Sequence, residues 1–324
     1  MSKHSQIGSA AEKRPSVWKG GRNAFSRMVN SDIFYSFSHS PLTIIAAIIT
    51  ITIIFSAIFA PWLAPQNPFD MAGLELIDAH IPPIGSADSD PRFLLGTDDQ
   101  GRDLLSAILY GSRLSLIVGF SSVIFAMILG VSLGLISGYA GGVVDAFIMR
   151  VAEIQISFPA ILIALLVNGI LRTLFPDFNA ERLVLIVLIF SIGISGWVQY
   201  ARTVRSSTIV EKRKEYVQAA KVICIHPVLI MLRHILPNVM GPVLVISTIH
   251  LAVAVITEAT LSFLGVGVPS TEPSLGTLIR IGNDYLFSGE WWITIFPSIA
   301  LATLVLAVNI LGDWLRDALN PKLR

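Results

Sequence analysis

The sequence predicts an all-α polytopic membrane protein with six transmembrane helices, and three observations carry that prediction. The chain of 324 residues is 53% hydrophobic and only 14% charged, against about 25% charged residues in ordinary soluble domains. Its mean hydropathy of +0.71 is too apolar for a soluble chain to cover its own surface. The apolar residues form long continuous runs, whereas the strands of a membrane barrel would be short and alternating. Helices also satisfy their own backbone hydrogen bonds, which lipid cannot do.

Residues 1–40 read as a basic tail (Lys13, Arg14, Lys19, Arg22, Arg27) without the apolar core or cleavage site of a signal peptide. The first span, residues 41–61, is therefore expected to act as an uncleaved anchor. Its centre, "LTIIAAIITITIIFSAIFA" from Leu42 to Ala60, carries no charge and supplies roughly 28 Å of helix for a hydrocarbon core of about 30 Å. Its threonines can return hydroxyl hydrogen bonds to the helix backbone. Residues 62–108 are rich in Pro, Gly and Asp and too short for a core of their own. Loops with short helices on the outer face are expected there. Residues 109–312 hold five further spans, at roughly 113–137, 145–171, 183–202, 239–262 and 292–311, and residues 313–324 form a C-terminal tail. The single cysteine, Cys224, leaves no internal disulfide to form.

Lysine and arginine placement predicts the orientation. The N-terminal tail is basic, as is the segment 203–238 with its flank (Arg202, Arg205, Lys212, Arg213, Lys214, Lys221, Arg233). The C-terminus adds Arg316, Lys322 and Arg324. The loop after the first span instead carries Asp70, Glu75, Asp78, Asp88, Asp90, Asp98, Asp99 and Asp103 against Arg92 and Arg102. The positive-inside rule puts both termini and residues 203–238 in the cytoplasm, and an even number of spans agrees.

The sequence offers no catalytic chemistry. There is no G-x-x-x-x-G-K-[ST] phosphate loop, no H-E-x-x-H, and no pair of cysteines to hold zinc. A lone His250 inside a span is expected to be a packed, hydrogen-bonded residue. The chain is not expected to be an enzyme or to bind a cofactor, so energy for work against a gradient must come from another subunit or an ion. An ion-coupled carrier should hold ionisable groups deep in its spans. Arg150 and Glu153, three apart, can instead neutralise each other on one helix face, and Glu258 is expected near the hydrated outer end of span five. Gly130, Gly134 and Gly138 form a flat stripe that lets another helix approach closely. The expected neighbour is a helix of the same chain, the alternative being a pathway wall or a second subunit.

The stretch "EYVQAAKVICIHPVLIMLRHILPN", Glu215 to Asn238, is too polar to lie in lipid. From Ser206 to Ile223 the residues favour helix. Acidic Glu211 and Glu215 come early and Lys221 late, an order that suits the helix dipole. Pro227 disfavours helix at His226 and is expected to stop this first helix. "VLIMLRHIL" then forms a second, ended by Pro237. A helix–turn–helix of this kind can dock on a partner through small Ala219 and Ala220 and the charge of Glu215, or rest on lipid headgroups as an amphipathic helix. The residues alone leave both readings open.

This stretch resembles the cytoplasmic loop of the inner-membrane permease subunits of binding-protein-dependent ABC importers, of the form E-A-A, then Gly, then I-x-L-P. Glu215, Ala219, Ala220, Ile235 and Pro237 stand at the matching places, and Cys224 stands where the family usually has glycine. Cysteine resists the positive φ that glycine accepts. "LLGTDDQGRDLLSAILYGSRLSL" (Leu94–Leu116), "LSFLGVGVP" (Leu261–Pro269) and "NILGDWLRDALNPKLR" (Asn309–Arg324) are similar to the C-type subunits of the dipeptide, oligopeptide and nickel permeases. In "PSLG", Pro273–Gly276, the family commonly has tryptophan before the glycine.

The resemblance implies a permease of the bacterial inner membrane that pairs with a homologous second permease, two cytoplasmic ATPase subunits and an extracytoplasmic substrate-binding protein. It implies no nucleic-acid partner, and ATP and Mg held by the ATPases. Glu215, Ala219, Ala220, Cys224, Pro227, Ile235 and Pro237 would form the coupling segment that docks on one ATPase. Peptides are the expected substrate, with nickel chelates or another small solute as the alternative. An ion-coupled carrier and a membrane scaffold are the readings outside this class.

Overall fold

A computed structural model of the chain describes residues 37–70, 74–174, 181–269, 271–272 and 274–318. Most of the N-terminal tail, the last six residues and Pro273 of the "PSLG" stretch lie outside them. Among the described residues the protein is helical, with one isolated antiparallel bridge between Thr97 and Asp103. In chain order the helices are α1 (Pro41–Ile58), α2 (Ala60–Leu63), α3 (Leu104–Ala140), α4 (Gly142–Ile156), α5 (Ala160–Leu174), α6 (Glu181–Glu211), α7 (Glu215–Val222), α8 (Pro227–Ile230), α9 (Leu236–Phe263), α10 (Leu275–Tyr285) and α11 (Trp292–Ala318).

Among the described residues five helices are long and apolar enough to cross a membrane, with α8, α9 and the turn between them counted as one. The sixth crossing expected at 145–171 is a broken pair, α4 and α5, bent by 100°. Pro159 explains the break: it lacks an N–H, and its ring drives Phe158 out of helical conformation. Spans two and four run past their expected ends, at Leu104–Ala140 and Glu181–Glu211. Neither flank, 104–112 or 203–211, contains a proline, so each helix continues beyond its expected end.

The centre of the fold is the seam between α3 and α6. A Cβ on Gly130 would stand 2.4 Å from the Trp197 carbonyl oxygen, on Gly134 2.6 Å from that of Ala201, and on Gly138 2.7 Å from Thr208 Cβ. The glycine stripe therefore packs within the chain, backbone against backbone. An apolar cluster around Leu188, Ile192, Leu251, Val255 and Leu304 fills the middle of the bundle. A second, around Leu104, Leu275, Leu278 and Trp292, closes the end of the bundle where α3 begins.

Glu258 is not at a hydrated helix end. It is fully buried, accepting hydrogen bonds from Ser115 Oγ (2.6 Å) and Ser262 Oγ (2.8 Å). The reason is the cover above it: α10 folds back onto α9 so closely that a Cβ on Gly276 would meet the Ala259 carbonyl at 2.3 Å. His250 is a packed residue, with its Nδ1 3.3 Å from the Tyr200 hydroxyl. Among its described residues the 62–108 region holds the end of α2, turns, a 3₁₀ turn at Leu76–Asp78 and the first residues of α3. It is tied down by a buried Arg102–Asp98 ion pair (2.6 Å) and by the Trp292 indole donating to the Thr97 carbonyl (3.1 Å).

Candidate functional site

The segment between α6 and α9 is built by three local devices. The helix expected over Ser206–Ile223 is interrupted at Lys212–Lys214, so α6 ends at Glu211 and α7 starts afresh at Glu215. Helix α7 stops at Val222, before Pro227 can act. The Cys224 N–H donates to the Lys221 carbonyl (3.0 Å) and the Ile225 N–H to that of Ala220 (3.1 Å). Those two bonds define a Schellman close, which needs a left-handed residue between helix and exit. Cys224 supplies it at φ +57°, so it adopts the glycine conformation and keeps the turn, in a region where a side chain costs about 1–2 kcal/mol. Pro227 instead opens α8, at a first-turn position where its missing N–H costs nothing.

Pro237 does not end the second helix. The residues Met231–Ile235 form a π turn, closed by the Leu236 N–H on the Met231 carbonyl, and α9 continues straight into the bundle. The wider turn gives the proline ring room where an α-helix would press it against the Arg233 carbonyl. Asn238 Nδ2 donates to the neighbouring His234 carbonyl at 2.7 Å.

Side-chain hydrogen bonds hold the segment to both spans. The Tyr216 hydroxyl donates to Glu211 at the end of α6 (2.5 Å) and receives Asn238 Nδ2 at the start of α9 (3.1 Å). Lys214 pairs with Glu211 at 2.6 Å, and Gln218 donates to the Lys212 carbonyl at 2.8 Å. Burial first, and the Glu211 carboxylate second, push the Tyr216 phenol up to about 12. Lys212 donates to the Tyr139 carbonyl at the end of α3, and the Lys212 and Lys221 ammonium groups lie 5.3 and 5.8 Å from the Tyr139 ring centroid.

The expected coupling residues divide into two sets. Ala220 and Ile235 face inward, with Val217 and Ile230, onto Tyr200, Val204, Val239 and Val243. Glu215, Ala219, Cys224, Pro227 and Pro237 face outward. Beside them stand apolar residues the sequence reading passed over: Val222 (82% exposed), Ile223 (71%), Val228 and Leu229. A signal for them exists. Val217 and Ala220 define the buried face of α7, and Val222 lies on the opposite side of that helix, while Ile223 follows its last residue as the C-cap. Tyr216 was also missed, because a phenol bridging two spans leaves no pattern along the chain. Among the described residues no group of three or more His, Cys, Asp or Glu is placed to hold a metal.

Residues 130–324 match the family model described as binding-protein-dependent transport system inner membrane component. Residues 30–83 match the N-terminal TM domain of oligopeptide transport permease C. The chain is 35% identical to the di/tripeptide transport system permease protein DppC of Pseudomonas aeruginosa, over 90% of this chain and 92% of that one. It is 36% identical to the dipeptide transport system permease protein DppC of Haemophilus influenzae, over 90% and 95%. To the oligopeptide transport system permease protein OppC of Bacillus subtilis it is 34% identical, over 97% and 92%. Its fold is shared with a chain of the MetNI methionine ABC transporter, solved in inward-facing conformations. That likeness has a TM-score of 0.51 at 18% identity and covers 67% of this chain and 98% of that one. The chain thus belongs to the inner membrane components of binding-protein-dependent transport systems, the permease family of ABC importers.

Proposed function

We propose that this chain is one of two homologous permease subunits in an ATP-driven importer and forms half of the pathway for di- or oligopeptides. In this reading an extracytoplasmic binding protein delivers the substrate, and two cytoplasmic ATPase subunits supply the energy. ATP and Mg bind there and not on this chain. Both termini and the α7–α8 segment lie in the cytoplasm, as the lysine and arginine distribution favours. The peptide substrate rests on the names of the dipeptide and oligopeptide relatives.

The observation that carries the reading is the two-sided build of the α7–α8 segment. One side is sealed into the bundle by Val217, Ala220, Ile230 and Ile235. The other offers Glu215, Ala219 and an apolar rim of Val222, Ile223, Val228 and Leu229 to a protein surface. A lipid-resting helix would need no braces to two spans at once. A handle that passes on movement does. ATP binding would close the ATPase pair, and the braced segment would carry that closure into α6 and α9. The pathway would then alternate between inward-open and outward-open states through a shift in populations.

Affinity purification of the chain in mild detergent tests this: an ATPase and a sister permease should co-purify. Ala219→Trp puts bulk on the outward face. It should leave the chain folded, lose the ATPase and abolish uptake. Normal ATPase association and uptake in that variant would sink the docking assignment.

A further inference from the structure

The depth of the α4–α5 break in the membrane follows from how α4 is fastened to α6. Gln155 Nε2 donates to the carbonyls of Ile194 (2.7 Å) and Ser195 (3.2 Å), and Gln155 Oε1 accepts from the Trp197 indole (2.7 Å). Ile194 lies inside the uncharged stretch Leu183–Ala201, about 16 Å of helix from Leu183 and about 12 Å from Arg202. Gln155 is therefore well within a hydrocarbon core of about 30 Å. The helix ends one residue later, at Ile156. Turn-type bonds from the Ser157 N–H to Ile154 (3.2 Å) and from the Phe158 N–H to Gln155 (3.2 Å) finish α4, and α5 departs at 100°. Ile156 to Ala160 are all exposed on this chain, Phe158 by 58%.

Lipid cannot cover that surface. Irregular backbone at hydrocarbon depth has no hydrogen-bonding partner in lipid and persists only against protein or water. The adjoining part of α4 points the same way. Arg150 and Glu153 form an ion pair at 3.2 Å with side chains 76% and 58% exposed, and the Ser157 hydroxyl donates to the Glu153 carbonyl at 3.0 Å. Ionisable groups on a span face the bundle interior or a water-filled cavity. Toward the basic end this face opens into a hollow of about 330 Å³ bounded by Met149, Glu153, Arg202, Arg205 and Ser206. A dry seam with a second subunit would need a partner for every donor of Arg150; water supplies them without one.

We propose that the α4–α5 break, centred on Ser157 with the Arg150–Glu153 pair below it, is this chain's wall of a water-filled pathway through the membrane. A hydroxyl and an exposed ion pair suit a hydrated solute carrying both charges. What moves along the wall rests on the importer reading above; the contact with water does not.

The single native thiol makes the test clean. In the assembled complex, with Cys224→Gly as background, Ser157→Cys is compared with Ile51→Cys on the apolar face of α1. S157C should react with a charged, membrane-impermeant maleimide more than about tenfold faster than I51C, while a lipophilic maleimide labels both. Phe158→Cys serves as the second probe if S157C does not fold, with the same result expected. A charged-reagent rate no faster than that of I51C, whether from lipid or from a dry subunit seam, would overturn the wall. Fast labelling that loaded binding protein and ATP leave unchanged would uphold the wall and count against the importer reading.

Discussion

The α3–α6 seam and the α7–α8 segment join helices by opposite means. In the seam, glycine removes side chains until backbones touch, and the joint has no free side. In the segment, side chains do the joining: an inward apolar row seals it, a tyrosine ties it to two spans, and its outer face stays open. A seam of that kind leaves no room for an added side chain. A segment of the other kind can be altered on one face without loss of fold, which a docking surface requires.

Substitutions can break this contrast, beginning with the largest effect. Ile235→Ala removes a fully buried anchor of the segment and should cost about 2–5 kcal/mol, read as a large fall in the thermal midpoint of the purified chain. Gly134→Ala forces a Cβ against the Ala201 carbonyl. It should cost about 1–3 kcal/mol, seen as reduced recovery of monodisperse chain in size exclusion. Tyr216→Phe deletes the shared hydroxyl and should cost about 1 kcal/mol, with ATPase turnover less tightly linked to uptake. Because the folded phenol titrates at about 12, above its ordinary value of about 10, its contribution is complete below pH 10. It should be lost as pH rises from there towards 12, and Tyr216→Phe should flatten that part of the stability–pH curve. Cys224→Gly has the opposite sign. It relieves a left-handed cysteine and should raise the thermal midpoint slightly, by up to about 1 kcal/mol of stability.

The apolar runs, the glycine stripe and the Arg150–Glu153 pair were legible in the sequence because each depends on spacing along one helix. The family pattern at Glu215, Ala219 and Ala220 was legible for the same reason. What the sequence hid depends on contacts between distant elements. Glu258 looked like a helix end because nothing near it in the chain announces that α10 folds over it. Pro159 carried the signal of a break, yet the apolar residues on both sides read as one span, and hydropathy does not register a bend of 100°. Pro237 misled in the other direction: a proline is read as a stop, while a widened turn lets the helix pass. The position of Cys224 was found by its family place, but its φ was decided by the Schellman bonds from Cys224 and Ile225.

The π turn at Met231–Ile235 has a consequence for phase. One residue beyond the α-helical count turns everything after it by about 100° around the helix axis. Five residues separate Ile230 from Ile235, whereas four separate Ile235 from Val239 and Val239 from Val243, so the extra residue of the π turn is what brings all four side chains onto one buried face. In an unbroken α-helix Ile230 would be turned away from that row. The turn thus works as a spacer that keeps one apolar row continuous from α8 into α9.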